Sequence, residues 1–592
     1  MGKARKKSAR PAGRRASAPV PPGSFSARVK ELVPPVCLVA FTLWQGSYFP
    51  VQFLAIIALL LLAFVLFGKS LIVTKEALML FGISLLYCVS LLVHSDNNYT
   101  GLTETLRTLI FPMTLLLFLN NDSAKAEKSI FTALMIVAVL GLLGYFSVIS
   151  MPGGVDESRG RLHSVIQYAN TTALLMLVGV LYSVDRFVAD RKIRSVCCGV
   201  IFAVALFLTG SRTTLVIALA VCALYAFIKT RGRPRLIVAC SVLAAAVVVV
   251  CLSLFTDIRI FRISVFTSTL VERWITFQDA FEMLRGRWLP GVGAGNWQEW
   301  QYRLQSAPYF VRFIHNFYLQ LLLDGGVLAP ILFCAAVFPA VYRGIRSKNV
   351  HAVILIAFLL HALLEFALIF AAAAAIAMYS LSRLAPGAAG TAVPAEKAVI
   401  AASEPQSHKQ NALFRGFRVK PGKYRYAAII PFLAVLLLWG SEFFSALADA
   451  DIEGGALDSA MRKNKTALAL NPLNTGLYYK MAQSTNDVDL SVEYLRLAME
   501  KSPTDLRAVS LLAQKEAGRG NYEEALELCD RLIVNRRYSE FYQALYRDTA
   551  GSAAAHGVIS AAEYEEILAR IEAIQQQVNP LYERYHQSEV GG

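Results

Sequence analysis

The chain has 592 residues and a formal net charge of +16, with 56% hydrophobic and only 17% charged residues. Soluble proteins carry about 25% charged residues, so this composition excludes an ordinary water-soluble protein. The length predicts more than one domain. The composition changes near residue 448, where long apolar runs give way to a mixed, charge-rich sequence.

The start of the chain is strongly basic. Residues 1–30 contain nine Lys and Arg and no acid. Arg14 and Arg15 are followed by a Pro-rich stretch and not by an apolar segment, which argues against a secretory signal. Because basic residues next to membrane helices favour the cytoplasm, we predict a disordered cytoplasmic tail that contacts anionic lipid. No nucleic-acid partner is expected.

Apolar runs that approach the length of a membrane-crossing helix, about 20 residues, recur along the chain. We predict 12–13 spans over the ranges 34–49, 51–67, 76–94, 104–119, 129–149, 165–184, 194–209, 213–229, 235–255, 316–342, 350–364, 366–383 and 427–447.

The positions of Lys and Arg predict the topology. The connections 68–75, 120–128, 185–193, 230–234, 343–349 and 384–426 all carry basic residues and are predicted to be cytoplasmic. The predicted outer segments are 95–103, 150–164, 210–212, a long loop 256–315, a tight turn near Glu365 and everything after residue 447.

From about residue 454, short amphipathic helices alternate with turns. An offset of 34 residues superimposes Leu495 on Cys529 and Ala498 on Leu532, and Pro503 follows the first unit. This pattern resembles the tetratricopeptide repeat, in which helices cross closely and a Pro ends the unit. The resemblance implies a concave surface for a protein partner or for assembly. A plain helical cap without a ligand is the alternative.

Together these features predict an all-α polytopic membrane helical bundle with a small helical repeat domain. The predicted parts are a basic tail 1–30, a membrane domain 31–383 that includes the loop 256–315, a cytoplasmic linker 384–426, an additional transmembrane helix 427–447 and an extracytoplasmic repeat domain 448–592.

Ionisable residues at the ends of membrane helices are functional candidates, because a charge is costly at membrane depth. Most of them lie at the predicted outer ends. Arg212 lies in a very short link between two spans. Arg159 and Arg161 precede a span whose first turns contain Asn170, and Arg107 lies near the outer end of its span.

The long loop 256–315 contains seven Arg, among them Arg273 and Arg312, and no Lys. Arg in the absence of Lys favours planar, bidentate binding of phosphate or carboxylate. His315 and Asn316 open the next span. A His at this depth is a candidate for taking a proton from a hydroxyl group; a simple interface anchor is the alternative.

Other motifs exclude several classes of site. Gly291–Asn296 has the spacing of half a nucleotide fingerprint, but it follows no strand, so we predict a tight turn. Eight of the nine Cys lie in or beside apolar spans without the spacing of metal ligands. We therefore expect no metal and no cofactor.

Four segments together resemble the O-antigen ligase and O-antigen polymerase superfamily. They are Gly160-Arg161-Leu162 through Asn170-Thr171, Thr209-Gly210-Ser211-Arg212, Glu272-Arg273-Trp274 leading into Leu289–Asn296, and His315-Asn316 through Gly325-Gly326. The similarity covers roughly residues 35–385. The chain departs from the family in its additional span and its C-terminal repeats.

The resemblance implies a membrane glycosyltransferase of the GT-C type. Such an enzyme takes a glycan from undecaprenyl pyrophosphate and passes it to a glycan, lipid or protein acceptor at the outer face of the bacterial cytoplasmic membrane, without a metal or a nucleotide sugar. Arg212 and Arg273 would stabilise the pyrophosphate, and His315 would be the base in an inverting displacement. The further binding candidates are Arg161, Arg159, Asn170, Arg107, Arg312 and Asn316.

Three alternatives remain from the sequence. A polymerase would share the site but join a second lipid-linked repeat unit, whereas a ligase uses a different acceptor. The repeat domain slightly favours a ligase, because a peptide-binding surface suits a protein acceptor. A solute transporter is less consistent with the apolar mid-span positions. A non-catalytic scaffold would not explain the Arg-rich loop or His315.

Overall fold

The computed structural model describes residues 25–68, 70–93, 98–121, 123–230, 268–385 and 417–584. The predicted span 235–255, most of the basic tail and most of the cytoplasmic linker lie outside these residues. The regular secondary structure of the described residues is helical apart from four very short strands. The predicted all-α polytopic class is confirmed.

The helices that precede the C-terminal region fall into two series. The first consists of α1 (Phe25–Leu43), α2 (Pro50–Phe67), α3 (Lys75–Val93), α4 (Asn98–Thr108), α5 (Ile110–Leu119), α6 (Ser123–Tyr145), α7 (Ala169–Asp190), α8 (Ile193–Leu208) and α9 (Arg212–Lys229). The second consists of α10 (Ser268–Met283), α11 (Trp297–Leu304), α12 (Phe317–Gly325), α13 (Leu328–Arg346), α14 (Val350–His361), α15 (Ala371–Leu384) and α16 (Ile429–Glu453).

Within the described residues, 8 helical segments are long and apolar enough to cross a membrane, and four shorter apolar helices accompany them. Every predicted span except 235–255 overlaps one of these segments. The apolar composition and the length of the helices therefore support a multi-pass membrane protein.

The predicted continuous span 316–342 is wrong, because the chain breaks between α12 and α13 at Gly326. Gly326 has φ +72°, and a Cβ atom there would lie 1.8 Å from the carbonyl oxygen of Leu289. Residues 288–292 pass this break and bond to both sides of it. The Val327 amide donates to the Trp288 carbonyl at 2.9 Å, and the Val292 amide donates to the Leu323 carbonyl at 2.7 Å. The break is thus a close crossing of two backbones.

The loops sort into two ends of the bundle. At one end, strand β1 (Leu71–Val73) pairs antiparallel with β4 (Phe417–Val419). Arg343 lies 3.2 Å from Glu76 at the same end. These segments belong to, or directly flank, connections that were all predicted to be cytoplasmic, so the predicted topology is internally consistent.

At the other end, the long loop forms a small core of its own. Strands β2 (Val155–Asp156) and β3 (Arg161–Leu162) make a hairpin nearby. The loop helices α10 and α11 pack around the fully buried side chains of Trp297 and Ile314. The Gly291–Asn296 run is a turn, as predicted, with positive φ at its glycines.

After α16 the chain continues through helices joined by short connections. They are α17 (Leu457–Leu470), α18 (Gly476–Gln483), α19 (Val488–Lys501), α20 (Leu506–Gly518), α21 (Tyr522–Asn535), α22 (Glu540–Ala555) and α23 (Ala561–Gln576). Buried residues such as Leu495 and Leu512 form their common core. These helices contact the loop: Arg537 Nη2 donates to the Gln305 carbonyl at 2.7 Å, and the Asn579 amide donates to the Ser306 carbonyl at 2.9 Å.

We expect Gly326→Ala to reduce the yield of monodisperse protein several-fold, because its Cβ would overlap the Leu289 carbonyl oxygen. Gly286→Ala is the matched control, since Gly286 also has positive φ, +75°, but has nothing within 4 Å of a Cβ. It bears only the backbone strain of about 1–2 kcal/mol. Size-exclusion chromatography of detergent extracts measures both. Equal losses for the two variants would refute the close crossing.

Candidate functional site

The site is built around one buried carboxylate, Glu365. It lies in the turn between α14 and α15 and is 0% exposed. Glu365 is also the one acidic residue in the apolar stretch 350–384. A buried charge of this kind is stable only when other groups pair with it and bond to it.

Four side chains from three parts of the chain bond to Glu365. Arg273, on α10, donates to Oε1 through Nη2. Tyr168, next to the start of α7, donates its hydroxyl to Oε2 at 2.9 Å, and the Asn170 amide nitrogen donates to Oε1. His315 Nδ1 lies 3.2 Å from Oε2. The carboxylate thus joins α7, the long loop and the turn after α14.

The charges in this cluster stabilise one another. Burial by itself raises the pKa of Glu365, but the Arg273 guanidinium and the His315 side chain outweigh it and lower that pKa to about 2. The carboxyl group is therefore ionised at neutral pH. It balances the charge of Arg273, which is itself only 8% exposed.

His315 is held against Glu365 by the backbone as well. Two residues further on, the Phe317 amide donates to the Ala362 carbonyl at 2.8 Å, which ties the start of α12 to the end of α14. The His315 ring also lies 5.2 Å from the ring of Phe366. The carboxylate accepts from Nδ1 when that nitrogen carries the proton, and the lone pair is then on Nε2.

Arg161 is connected to Glu365 indirectly, through Asn170. Asn170 accepts from Arg161 Nη2 at 2.8 Å through its carbonyl oxygen. Arg161 Nε donates to the carbonyl oxygen of Thr209 at 2.9 Å. This bond joins the β2–β3 hairpin to the end of α8. Thr209 lies three residues before the partly exposed Arg212, which begins α9. Arg161, Asn170 and Arg273 therefore belong to one connected polar network.

Arg273 and His315 also line one cavity. The cavity has a volume of about 230 Å³ and is bounded by Thr276 and Phe310, among others. A guanidinium and an imidazole are thus presented to the same space, each fixed from behind by Glu365. Among the described residues, no group of three or more His, Cys, Asp and Glu could hold a metal ion.

Arg107 has a different environment. It is 4% exposed, pairs with Glu104 at 2.8 Å and donates to the Tyr48 carbonyl at 2.7 Å. Its guanidinium lies 4.2 Å from the centre of the Phe53 ring. These contacts are the ones a buried structural Arg makes, and within the described residues none of them is with Glu365 or with the side chains that bond to it.

The remaining predicted residues lie around the network. Arg159 is exposed near the tip of the β2–β3 hairpin. Asn316 caps α12, since its side chain accepts from the Leu319 amide at 2.9 Å. Arg312 lies over the Tyr48 ring at 5.4 Å, and its buried Nε has no hydrogen-bond partner in the part of the chain that the structure describes.

Asp324 is a second buried carboxylate, close to the Gly326 break. It accepts from Tyr87 at 3.2 Å, from Gln320 at 2.9 Å and from the Gly295 amide at 3.1 Å. These bonds hold the glycine-rich turn of the loop against α12 and α3. Asp324 thereby fixes the part of the chain that leads from the loop into the bundle.

Sequence reasoning missed the centre of the site. Glu365 was predicted only as part of an outer turn, and Tyr168 was not singled out. The signal that could have found Glu365 is its position as the one acid within an otherwise apolar stretch. Its partners could not be read from the sequence, because they lie 50–197 residues away.

The fold and this network define a polytopic all-α membrane protein with a buried charged cluster at one end of its bundle. A family model described as O-Antigen ligase matches residues 197–334. None of the curated proteins matches the chain. The family match supports assignment to the O-antigen ligase superfamily and a role in glycan transfer at a membrane. The matched segment includes Arg212, Arg273 and His315, whereas Glu365 lies beyond its end.

We expect Glu365→Gln to destabilise the protein by about 3–5 kcal/mol, because it leaves Arg273 buried without a counter-charge. Removing both charges, in Arg273→Met with Glu365→Gln, should restore at least half of this loss. The control is Glu282→Gln, which breaks the exposed pair with Arg285 and should have little effect. Thermal unfolding of the purified protein in detergent checks all three. Similar losses for Glu365→Gln and Glu282→Gln would contradict the buried pair.

Proposed function

We propose that this chain transfers a glycan from an undecaprenyl-pyrophosphate carrier to an acceptor hydroxyl group at the outer face of the bacterial cytoplasmic membrane. The observation that carries the proposal is that buried Glu365 holds Arg273 and His315 together at one cavity. The match of residues 197–334 to the O-Antigen ligase family supports the same reaction class.

The leaving group in this reaction is a pyrophosphate, which departs with a negative charge. A guanidinium fixed in a partly buried site stabilises such a charge strongly and without reorganisation. Arg273 is held in this way by Glu365. Arg212 is proposed as the second pyrophosphate ligand, and Arg161 supports the site through Asn170 and the Thr209 carbonyl.

The acceptor hydroxyl group is a poor nucleophile until its proton is removed. With Nδ1 bonded to Glu365, His315 would take this proton on Nε2. The hydroxyl oxygen forms the new bond to the anomeric carbon while the bond from that carbon to the pyrophosphate oxygen breaks. The electron pair leaves with the pyrophosphate, and the direct displacement inverts the configuration of the sugar. No residue in this scheme requires a metal or another cofactor.

The remaining candidates would contact the substrates at the edge of the site. Arg159, Arg312 and Asn316 lie on segments adjacent to the network, and we assign them only to binding. Arg107 is assigned no substrate contact, because its bonds to the Tyr48 carbonyl and to Glu104 lie within the bundle. The basic tail and basic loops favour a cytoplasmic N-terminus, which places the site and the C-terminal helices outside the cytoplasm.

The acceptor separates a ligase from a polymerase. We favour the ligase, in cell-surface polysaccharide or glycoprotein biosynthesis, because the C-terminal helices add a surface beside the long loop. Tetratricopeptide-like repeats in this region would suit a protein partner. A polymerase would use the same cluster and would produce a ladder of lengthening glycan from lipid-linked units alone.

We expect Arg273→Gln and His315→Ala to stop glycan transfer, with a loss of at least about a hundredfold in turnover, because one removes charge stabilisation and the other the base. The assay follows the lipid-linked glycan in membranes of a host that lacks its own ligase. Wild type should consume the donor, and both variants should let it accumulate at equal protein levels.

The control for this assay is Arg285→Gln, which removes an exposed Arg from the same loop and should leave transfer unchanged. Normal turnover by His315→Ala in a purified assay would rule out its role as the base. Persistence of the donor with wild type, when the glycan is the native one, would overturn the transferase proposal. A ladder of glycan lengths without an added acceptor would favour the polymerase.

A further inference from the structure

A second and larger cavity lies between the long loop and the C-terminal helices. Its volume is about 410 Å³. The loop contributes Tyr302, Arg303, Phe310 and Arg312, and the C-terminal helices contribute Arg536 and their neighbours. We call this cavity the interdomain cleft. It forms only because the C-terminal helices contact the loop, for example through Arg537 and the Gln305 carbonyl.

The charge in the interdomain cleft is predominantly positive. Four Arg and two acids, Glu299 and Asp505, line it. Asp505 is bound by one of these Arg, since Arg507 donates to both of its oxygens at 2.9 and 2.8 Å. The other cationic groups are Arg303, Arg312 and Arg536. An anionic group would therefore be attracted to the cleft and bound there by bidentate hydrogen bonds.

The cleft also presents a flat aromatic surface. The rings of Tyr302 and Phe310 are nearly parallel, with centroids 6.0 Å apart and an interplanar angle of 7°. The Arg536 guanidinium lies 4.0 Å from the centre of the Tyr302 ring. Phe310 is 63% exposed, so much of its side chain is accessible to a ligand. Flat rings next to polar donors suit a sugar, whose CH face stacks on the ring while its hydroxyl and acid groups accept hydrogen bonds.

The interdomain cleft adjoins the cavity of the proposed reaction. Phe310 lines both cavities. Arg312 in the cleft is three residues from His315, and Arg273 lines the reaction cavity together with His315. The segment that carries Phe310 and Arg312 thus forms the border between the two. A chain-like ligand could occupy the cleft and extend past Phe310 to the reacting groups.

We propose that the interdomain cleft binds an anionic saccharide chain, with Tyr302 and Phe310 as its stacking surface and Arg303, Arg312 and Arg536 as ligands of its acid groups. The inference rests on the proposed function, because it identifies the cleft as the extended substrate site of that reaction. The saccharide is either the distal part of the transferred glycan or a polysaccharide acceptor. Both carry the same chemistry, and the experiment separates them.

The experiment measures saccharide binding to the full-length protein in lipid nanodiscs. The probes are the glycan released by mild acid from the native lipid-linked donor, wall polysaccharide fragments from the same cells, and a neutral dextran oligosaccharide of matched length. One of the two native probes should bind at least about tenfold more tightly than dextran, because each charge-assisted contact contributes to affinity. The probe that binds identifies the source.

Arg536→Gln and Arg303→Gln should each weaken this binding by about tenfold. Both are tested because Arg536 also packs on Tyr302, whereas Arg303 is exposed. The matched control is Arg547→Gln, an exposed Arg on α22 that does not line the cleft, and it should bind as wild type does. The proposal would be overturned if dextran and the native probes bound equally, or if neither cleft variant changed binding. It would also be overturned if a peptide acceptor bound saturably and neither saccharide did.

His315→Ala distinguishes the two proposals, because binding of the released probes needs no base and the buried pair of Glu365 with Arg273 stays intact. We expect this variant to retain saccharide binding and to lose transfer. If the cleft variants bind normally while His315→Ala still abolishes transfer, the saccharide site is wrong and the proposed function stands. If the probes bind as expected but wild type never transfers the native glycan, the proposed function fails and the saccharide site remains.

Discussion

The ion pair between Glu365 and Arg273 is the interaction on which the candidate site depends. A carboxylate that is 0% exposed can remain ionised only if cationic and hydrogen-bonding groups surround it. This requirement brings three segments together that are far apart in the chain: the start of α7, the first turns of α10 and the turn after α14. His315 is placed against the same carboxylate. Glu365, which is shielded from solvent, therefore positions both Arg273 and His315, the two groups that line the smaller cavity.

A second constraint determines where the loop enters the bundle. The backbone passes so close to Gly326 that a side chain at this position has no room, and Asp324 bonds the glycine-rich turn to α12. The bond from the Phe317 amide to the Ala362 carbonyl then fixes the beginning of the same short helix. Because α12 is anchored at both ends, His315 cannot shift freely relative to Glu365. The break in an apparently continuous apolar span thus serves the geometry of the site.

The C-terminal helices add surface without entering the charged cluster. They contact the loop through backbone carbonyls of Gln305 and Ser306. The interdomain cleft arises at this contact and shares Phe310 with the reaction cavity. These helices lie outside the segment that matches the O-Antigen ligase family, which is why we propose that they select the substrate of the proposed reaction.

The sequence alone determined the all-α class and nearly every membrane segment, because a helix in lipid requires a long apolar run that is visible without any partner. It also singled out Arg273, His315, Arg161 and Asn170 as candidates for a polar site, because a charge is costly at membrane depth. Only the tertiary structure decided that Glu365 joins these residues, that Arg107 pairs with Glu104, and that the run 316–342 breaks at Gly326. Each of these facts depends on contacts between segments distant in sequence, and neither the spacing nor the hydropathy of a single segment records which segment will lie against it.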